Sequence, residues 1–162
     1  MVNSRRDPDD TRFLEQALRL ARRAAREGEI PIGAVLVKNG LPVGRGYNRP
    51  IAAVDPTAHA EIIALRNGAR RLGNYRLTGT TLYVTLEPCL MCMGALIHAR
   101  IERLVYGATD PKVGAVSVAG KLSGAGALNH RLKITAGVCE DECRTLLRGY
   151  FRSRRADGHF NS

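Results

Sequence analysis

No stretch of this 162-residue chain is long and apolar enough to span a bilayer. The longest segments free of formal charge, Leu77 to Leu86 and Pro88 to Ala99, fall well short of the roughly 18 residues a membrane helix needs. The first ten residues mix Arg with Asp and hold no apolar core, so they read as neither a signal nor a transit peptide, and a cytoplasmic protein is expected. Cysteine is scarce at four, and two of the four stand as Cys89-x-x-Cys92. That spacing suits metal or redox chemistry in a reducing compartment, not a secreted disulfide framework. There is no internal repeat, and one core of about 100 to 150 residues accounts for the length. With 44% hydrophobic and 25% charged residues the chain is outside the disordered classes.

What is abundant is positive charge. A net charge of +10 points to a polyanionic partner such as nucleic acid, the alternative being solubility alone. Apolar spacing predicts an amphipathic helix over Asp10 to Glu27, with Phe13, Ala17, Ala21 and Ala24 on one stripe. Asn39-Gly40 between two apolar runs predicts a hairpin of Ala34 to Val37 with Leu41 to Tyr47. Asp55-Pro56 reads as cap and first residue of a helix running to Leu72. Strands are expected at Thr80 to Leu86 and Arg103 to Ala108, separated by a helix over Cys89 to Ala99. Alternating strands and helices imply parallel pairing with helices on both faces, an α/β fold. The Gly- and Ala-rich segment Val113 to Leu128 has no clear period and reads as a loop with at most one helical turn. A short strand at Arg131 to Thr135 and a final helix over Cys139 to Arg155 complete the order. Residues 1–9 and 156–162 read as flexible ends around one domain spanning 10–155.

The informative constellation is His59-Ala60-Glu61 followed by Pro88-Cys89-Leu90-Met91-Cys92. Alone, a histidine near a helix start is usually a cap or core residue, and a Cys-x-x-Cys is equally a redox pair or half of a structural zinc site. Residue frequencies put the chance of both patterns occurring in order on the order of one in 10⁴. Cysteines three apart at a helix start share a face, about 5 to 6 Å apart at Cβ, which suits two thiolates on one ion. His59 as third ligand makes a Cys₂His set, the three-ligand pattern of a catalytic zinc that keeps a place for water. Such zinc lowers the water's pKa toward about 7. Glu61, two residues on from His59, does not share its helix face and is read as a proton shuttle, not a fourth ligand. Its bland alternative is a solvated carboxylate favoured by the helix dipole.

His-x-Glu with Pro-Cys-x-x-Cys is the pattern of zinc deaminases that act on nucleobases. Together with Asp55 to Glu61, Asn74 to Leu77, Tyr83 to Cys89 and Asn129-His130-Arg131, it makes nearly the whole chain resemble the bacterial tRNA-specific adenosine deaminases. The resemblance implies a cytidine-deaminase-like three-layer α/β/α sandwich with a five-stranded mixed sheet, and a homodimer. It implies one Zn²⁺ per chain held by His59, Cys89 and Cys92, with Glu61 as the catalytic residue in deamination of adenosine to inosine in a tRNA anticodon stem-loop. Substrate contacts are expected from Asn48, Ala60, Glu87, Asp110, Asn129, Tyr150, Phe151 and Arg152. The chain differs from the family at Ser123 to Leu128, where a bulkier stretch with His and Pro is common, and at Pro111.

Arg144, Arg148, Arg152, Arg154 and Arg155 surround Tyr150 and Phe151 near the chain end, a mixture suited to stacking on bases and pairing with phosphates. The alternative is that the rings pack the helix on the sheet. Cys139 and Cys143 are expected to be small buried hydrophobes, His98 a packing residue, and His130 a candidate RNA contact. Two other functions stay open at this point: zinc chemistry on a free base or nucleoside of guanine or cytosine type, and a non-catalytic zinc module that binds RNA. The second needs a fourth protein ligand, for which the motifs offer no natural candidate.

Overall fold

The structure, a computed structural model, describes residues 1–3 and 5–158. Its order is β1 (Val2–Asn3), α1 (Asp10–Arg26), β2 (Gly33–Lys38), β3 (Leu41–Tyr47), α2 (Pro50–Ala53), α3 (Ala60–Leu72), β4 (Thr80–Leu86), α4 (Leu90–His98), β5 (Arg103–Ala108), α5 (Val116–Gly124), β6 (Lys133–Thr135) and α6 (Glu140–Ala156). The sheet runs β1-β6-β5-β4-β2-β3. Strands β2, β3 and β4 pair antiparallel, and β4, β5, β6 and β1 pair parallel. The expected five-stranded mixed sheet is there, and Val2–Asn3 adds a two-residue parallel edge beside β6, within the stretch read as a flexible lead-in.

Period-two alternation sorts the core into two halves. Leu36, Leu82, Val84 and Leu104 face α3, α4 and α5, while Val35, Val37, Tyr83 and Val105 face α1 and α6. The result is the α/β/α sandwich. Helix α3 lies directly on β3, because a Cβ on Gly46 would stand 2.2 Å from the Ala60 carbonyl oxygen. Only glycine permits that approach.

Three local expectations need correcting. Asp55 does not cap α3: its carboxylate accepts the backbone N–H (2.8 Å) and hydroxyl (2.7 Å) of Thr57 in a local turn, and the helix starts at Ala60 with His59 at the cap position. The segment 113–128 holds a nine-residue helix, α5. Small Ala115, Ala119 and Ser123 face inward while Val118 and Leu122 face solvent, so the apolar period points the wrong way. His98 is exposed at the end of α4, not the packing residue expected. Of the C-terminal tail, Ala156 ends α6 and residues 159–162 lie outside the described residues.

One buried ion pair ties the start of α1 to the start of β5. Arg103 on β5 donates to Asp10 Oδ1 at 2.7 Å and Oδ2 at 2.8 Å, and Tyr83 and the Asp7 N–H donate to the same carboxylate. Burial pushes the Asp10 carboxyl up, but the Arg103 hydrogen bonds and charge, with the Asp7 and Tyr83 donors, outweigh it and hold it below the ordinary range. A depressed folded pKa stabilises the fold above the unfolded value, about 3.9, and that contribution is lost as pH falls through the folded value. Arg103→Met should therefore lower unfolding free energy in urea by about 3 to 5 kcal/mol at neutral pH. Lys133→Ala, breaking the exposed pair with Glu102, should cost under about 1 kcal/mol. The gap between the two variants should narrow below about pH 4.

Candidate active site

The carboxyl ends of β3, β4 and β5 share one edge of the sheet, where open α/β sheets commonly bind ligands. Asn48 follows β3, Glu87 to Cys89 follow β4, and Asp110 follows β5. Helices α3 and α4 both start at that edge, with His59 and Cys89 as their extended N-cap residues at ψ 153° and 174°. Two helix N-termini, each with partial positive charge, thus converge where the cysteines need to be anionic.

His59 Nδ1 stands 3.7 Å from Cys89 Sγ and 3.6 Å from Cys92 Sγ. A tetrahedral ion with bonds of about 2.0–2.1 Å to nitrogen and 2.3 Å to sulfur separates such ligands by about 3.6 Å. Among the described residues these three are the one group of His, Cys, Asp and Glu side chains close enough to hold a metal. A hydrogen bond from the Cys92 thiol, then one from His59, push the Cys89 thiol down to about 4, while Cys92 beside that thiolate is pushed up. A divalent cation removes that conflict by stabilising both thiolates.

Glu61 is 4% exposed, and its Oε2 is buried with no hydrogen-bond partner among the described residues. Desolvation pushes its carboxyl up. It lines the cleft beside His59 and Cys89, so the orphaned oxygen is where a water on the metal would be met. Donor set, spacing and orphan together fit zinc.

The cleft has a volume of about 1020 Å³. Apolar Ile30, Ile32, Pro50 and Leu86 form walls, and Lys112, Arg144 and Arg148 stand toward the outside. Sequence reasoning missed Ile30, Ile32 and Lys112. Ile30-Pro31-Ile32 carries no motif, and only the turn between α1 and β2 brings it to the site.

Asn48 is buried with Oδ1 occupied by the Ala60 N–H (2.9 Å), which leaves its amide NH₂ as the group that can donate into the cleft it lines. Ala60 itself is fully buried, outside the cleft lining, and reaches the site by orienting Asn48. Glu87 accepts the N–H of Asp110 (3.1 Å) and of Val116 (3.2 Å), bracing the loop 109–116. That brace needs Gly114, where a Cβ would lie 2.4 Å from Glu87 Oε2. Asp110 lines the cleft and folds its carboxylate back onto the N–H groups of Lys112 and Val113, so Pro111 is built into a closed turn.

The C-terminal helix divides its roles. Phe151 lines the cleft, and with Lys112, Arg148, Arg152 and Arg155 it lines an adjoining pocket of about 490 Å³. Tyr150 and Arg154 turn inward and donate to the Gly28 carbonyl at 3.0 and 2.8 Å. Arg144 pairs with Glu140. Asn129 is not brought to the cleft. Its carbonyl accepts from Arg100 beyond the C-terminal end of α4, a helix of nine residues whose length of about 13 Å separates it from the cysteines. His130 Nε2 contacts the Ile101 carbonyl at 2.6 Å on that far side. Cys143 is buried and pushed up to about 12 by desolvation, and the Cys139 thiol is also raised by burial. Both behave as small apolar residues.

Fold and site together define a metal-dependent hydrolytic deaminase, with one imidazole, two thiols and a buried carboxyl at the carboxyl edge of a mixed sheet. The family model for the cytidine and deoxycytidylate deaminase zinc-binding region matches residues 7–108. The chain is 50% identical over 149 residues to the tRNA-specific adenosine deaminase of Haemophilus influenzae, covering 91% of this chain and 86% of that protein. A solved structure from work on A-to-I editing by tRNA:A34 deaminases at the wobble position of transfer RNA superposes with a TM-score of 0.81 at 46% identity, covering 85% of this chain and 99% of that one. The guanine deaminase of Nitrosomonas europaea superposes at 0.74 with 26% identity, covering 93% and 86%. The chain belongs to the cytidine and deoxycytidylate deaminase family, and within it groups with the tRNA-specific adenosine deaminases.

Removing a ligand tests the metal centre directly. His59→Ala or Cys89→Ser should lower the zinc retained after dialysis at least about 10-fold. Glu61→Gln should retain it, as read by elemental analysis.

Proposed function

We propose that this protein deaminates adenosine to inosine at the wobble position of a tRNA anticodon loop, using one zinc ion per chain held by His59, Cys89 and Cys92. The observation that carries this reading is the buried Glu61 Oε2, without a hydrogen-bond partner among the described residues, beside those three side chains in a cleft that Lys112, Arg144 and Arg148 also line. The ion, when bound, supplies Lewis-acid activation of water at neutral pH.

Each of the chain's own groups then has a defined task. Ile30, Ile32, Pro50 and Leu86 surround the flipped base and exclude bulk water. The Asn48 amide, fixed by the Ala60 N–H, donates to the base. Glu61 Oε2 takes one proton from the attacking water and passes it to N1 of the base as the oxygen adds at C6, then carries the second proton, from the new hydroxyl, to the departing amine. Ammonia leaves and inosine remains. Glu87 holds the 109–116 loop, which carries Asp110 to the cleft mouth.

A cleft of about 1020 Å³ lies at the upper end of small-ligand pockets, about 300 to 1,000 Å³. That size, with Lys112, Arg148, Arg152 and Arg155 around Phe151 next to it, favours a nucleotide within a strand over a free base. Similarity to relatives that act on tRNA supports the same reading. Homodimerisation is part of the proposal: exposed Ile51, Leu90, Met91, Val118 and Leu122 on α2, α4 and α5 offer apolar surface for a second copy. A tRNA substrate and four free cysteines fit a cytoplasmic setting.

An anticodon stem-loop with adenosine at the wobble position should yield inosine, while free guanine, cytosine and cytidine stay unchanged. Conversion of a free base with the stem-loop untouched would move the assignment to a nucleobase deaminase. Glu61→Ala should keep its zinc and lose about 10² to 10⁴ in turnover. If Lys112, Arg148, Arg152 and Arg155 engage about four phosphates, stem-loop affinity should fall roughly 50- to 150-fold between 50 and 200 mM salt. A flat salt response would remove the electrostatic part of the reading.

A further inference from the structure

Between β3 and α3 runs a loop, residues 48–59, that opens with Asn48 and closes with His59, so both the proposed base contact and a proposed metal ligand hang from its ends. The ends are tied by backbone bonds: Asn48 N–H to the Ile32 carbonyl (3.0 Å) and Arg49 N–H to the Ala58 carbonyl (3.0 Å). The middle is the four-residue α2, and none of its side chains is buried. Ile51 is 70% exposed and Val54 91%. Apolar packing therefore does not hold this segment down.

What reaches it is Glu29. This side chain is 2% exposed, and its Oε1 accepts the Ala52 backbone N–H at 2.8 Å. Acidic side chains are almost never fully buried without a partner that compensates them. The base from which Glu29 extends is itself rigid. Its own N–H donates to the Ala24 carbonyl at the end of α1 (3.0 Å), and the preceding Gly28 carbonyl takes donors from both Tyr150 and Arg154 of α6. Residues following it, Ile30 and Ile32, are cleft walls.

We infer that Glu29 is a positioning residue for the deamination: through its hydrogen bond to the Ala52 N–H it pins the otherwise unpacked middle of the 48–59 loop against the last turn of α1, and so sets Asn48 and Pro50 where the base is gripped. Glu29 touches no substrate itself, and it acts through the loop. The inference rests on the proposed reading of the cleft as the base pocket. Its first effect is on binding, because the metal ligands are also fixed by α3 and α4.

The test uses the full-length, zinc-loaded protein with Glu29→Ala, Glu29→Gln and Ala52→Pro. The Ala variant deletes the acceptor, Gln keeps a carbonyl acceptor at Oε1, and Pro deletes the donor from the other side, a replacement the first turn of a helix tolerates. Two quantities are read: amide exchange over residues 49–54, which needs no substrate, and KM and kcat on the stem-loop. Glu29→Ala should speed Ala52 exchange at least about 10-fold and leave the core strands unchanged. Its KM should rise about 10-fold with kcat within about 3-fold and zinc retained. Ala52→Pro should reproduce the KM change, and Glu29→Gln should stay within about 3-fold of the parent in both readouts. Unchanged Ala52 exchange in Glu29→Ala overturns the inference, as does a Gln variant as impaired as the Ala variant, or a loss confined to kcat. Should Glu29→Ala fail to fold, Ala52→Pro and Glu29→Gln decide alone. A parent protein inert on the stem-loop sinks the functional reading while leaving the exchange result to judge the pin.

Discussion

Two thiols, an imidazole and a carboxyl crowd into one corner, Cys92 and Glu61 buried and His59 and Cys89 half-buried, and a group of that composition is electrostatically unsettled without a cation. Cys89 is drawn down to about 4 by its neighbours while Cys92, next to that thiolate, is driven up. Glu61 is raised by burial and left with an oxygen that has no hydrogen-bond partner among the described residues. Folding brings these groups together at a cost that hydrophobic burial elsewhere must offset. The rest of the architecture is arranged so that they meet. Glycine at position 46 lets α3 lie on β3, and the β4 to α4 connection is short enough to make Cys89 an N-cap. The convergence of two positive helix ends at the sheet's carboxyl edge favours the anionic cysteines.

Legibility of the sequence followed how local the determinants were. The motif His59-Ala60-Glu61 and Cys89 to Cys92 could be read because each half is a short local run whose residue types and spacing specify a metal donor set at a helix start. Helix α5 could not, because its inward face is Ala115, Ala119 and Ser123 while Val118 and Leu122 look outward. Periodicity analysis assumes large residues point in. The start of α3 was misplaced for a related reason. Asp55 and Pro56 carry the residue types of a helix start, yet the Thr57 hydroxyl and N–H claim the Asp55 side chain first.

The cationic C-terminal helix shows what composition alone leaves mixed. Five arginines in sequence look equivalent, and only packing separates Arg154, spent on the Gly28 carbonyl, and Arg144, paired with Glu140, from Arg148, Arg152 and Arg155 beside Phe151. Tyr150 and Phe151 part in the same way, one stapling α6 to α1 and the other facing the cleft. Asn129 and His130 stand at the opposite end of α4 from the metal group, a separation that sequence spacing carries no information about.

A structural relative at 26% identity is a guanine deaminase, so one fold serves substrates of very different size. In the proposed mechanism the corner formed by His59, Cys89, Cys92 and Glu61 would meet only the reacting carbon, the water and the departing amine, and so would not by itself choose between them. On that proposal selection comes from what lies farther out: how Asn48 presents its amide, how far Ile30 and Pro50 close on the ring, and whether phosphates find the cations around Phe151. In this chain the outer parts are loops, 28–32, 48–59 and 109–116, held to the frame at a few points: Tyr150 and Arg154 donate to the Gly28 carbonyl, and Glu29 and Glu87 accept backbone N–H groups of the other two loops. Loops so lightly tied can be remodelled without disturbing the sheet or the metal ligands, which is the physical basis on which one catalytic floor supports several specificities.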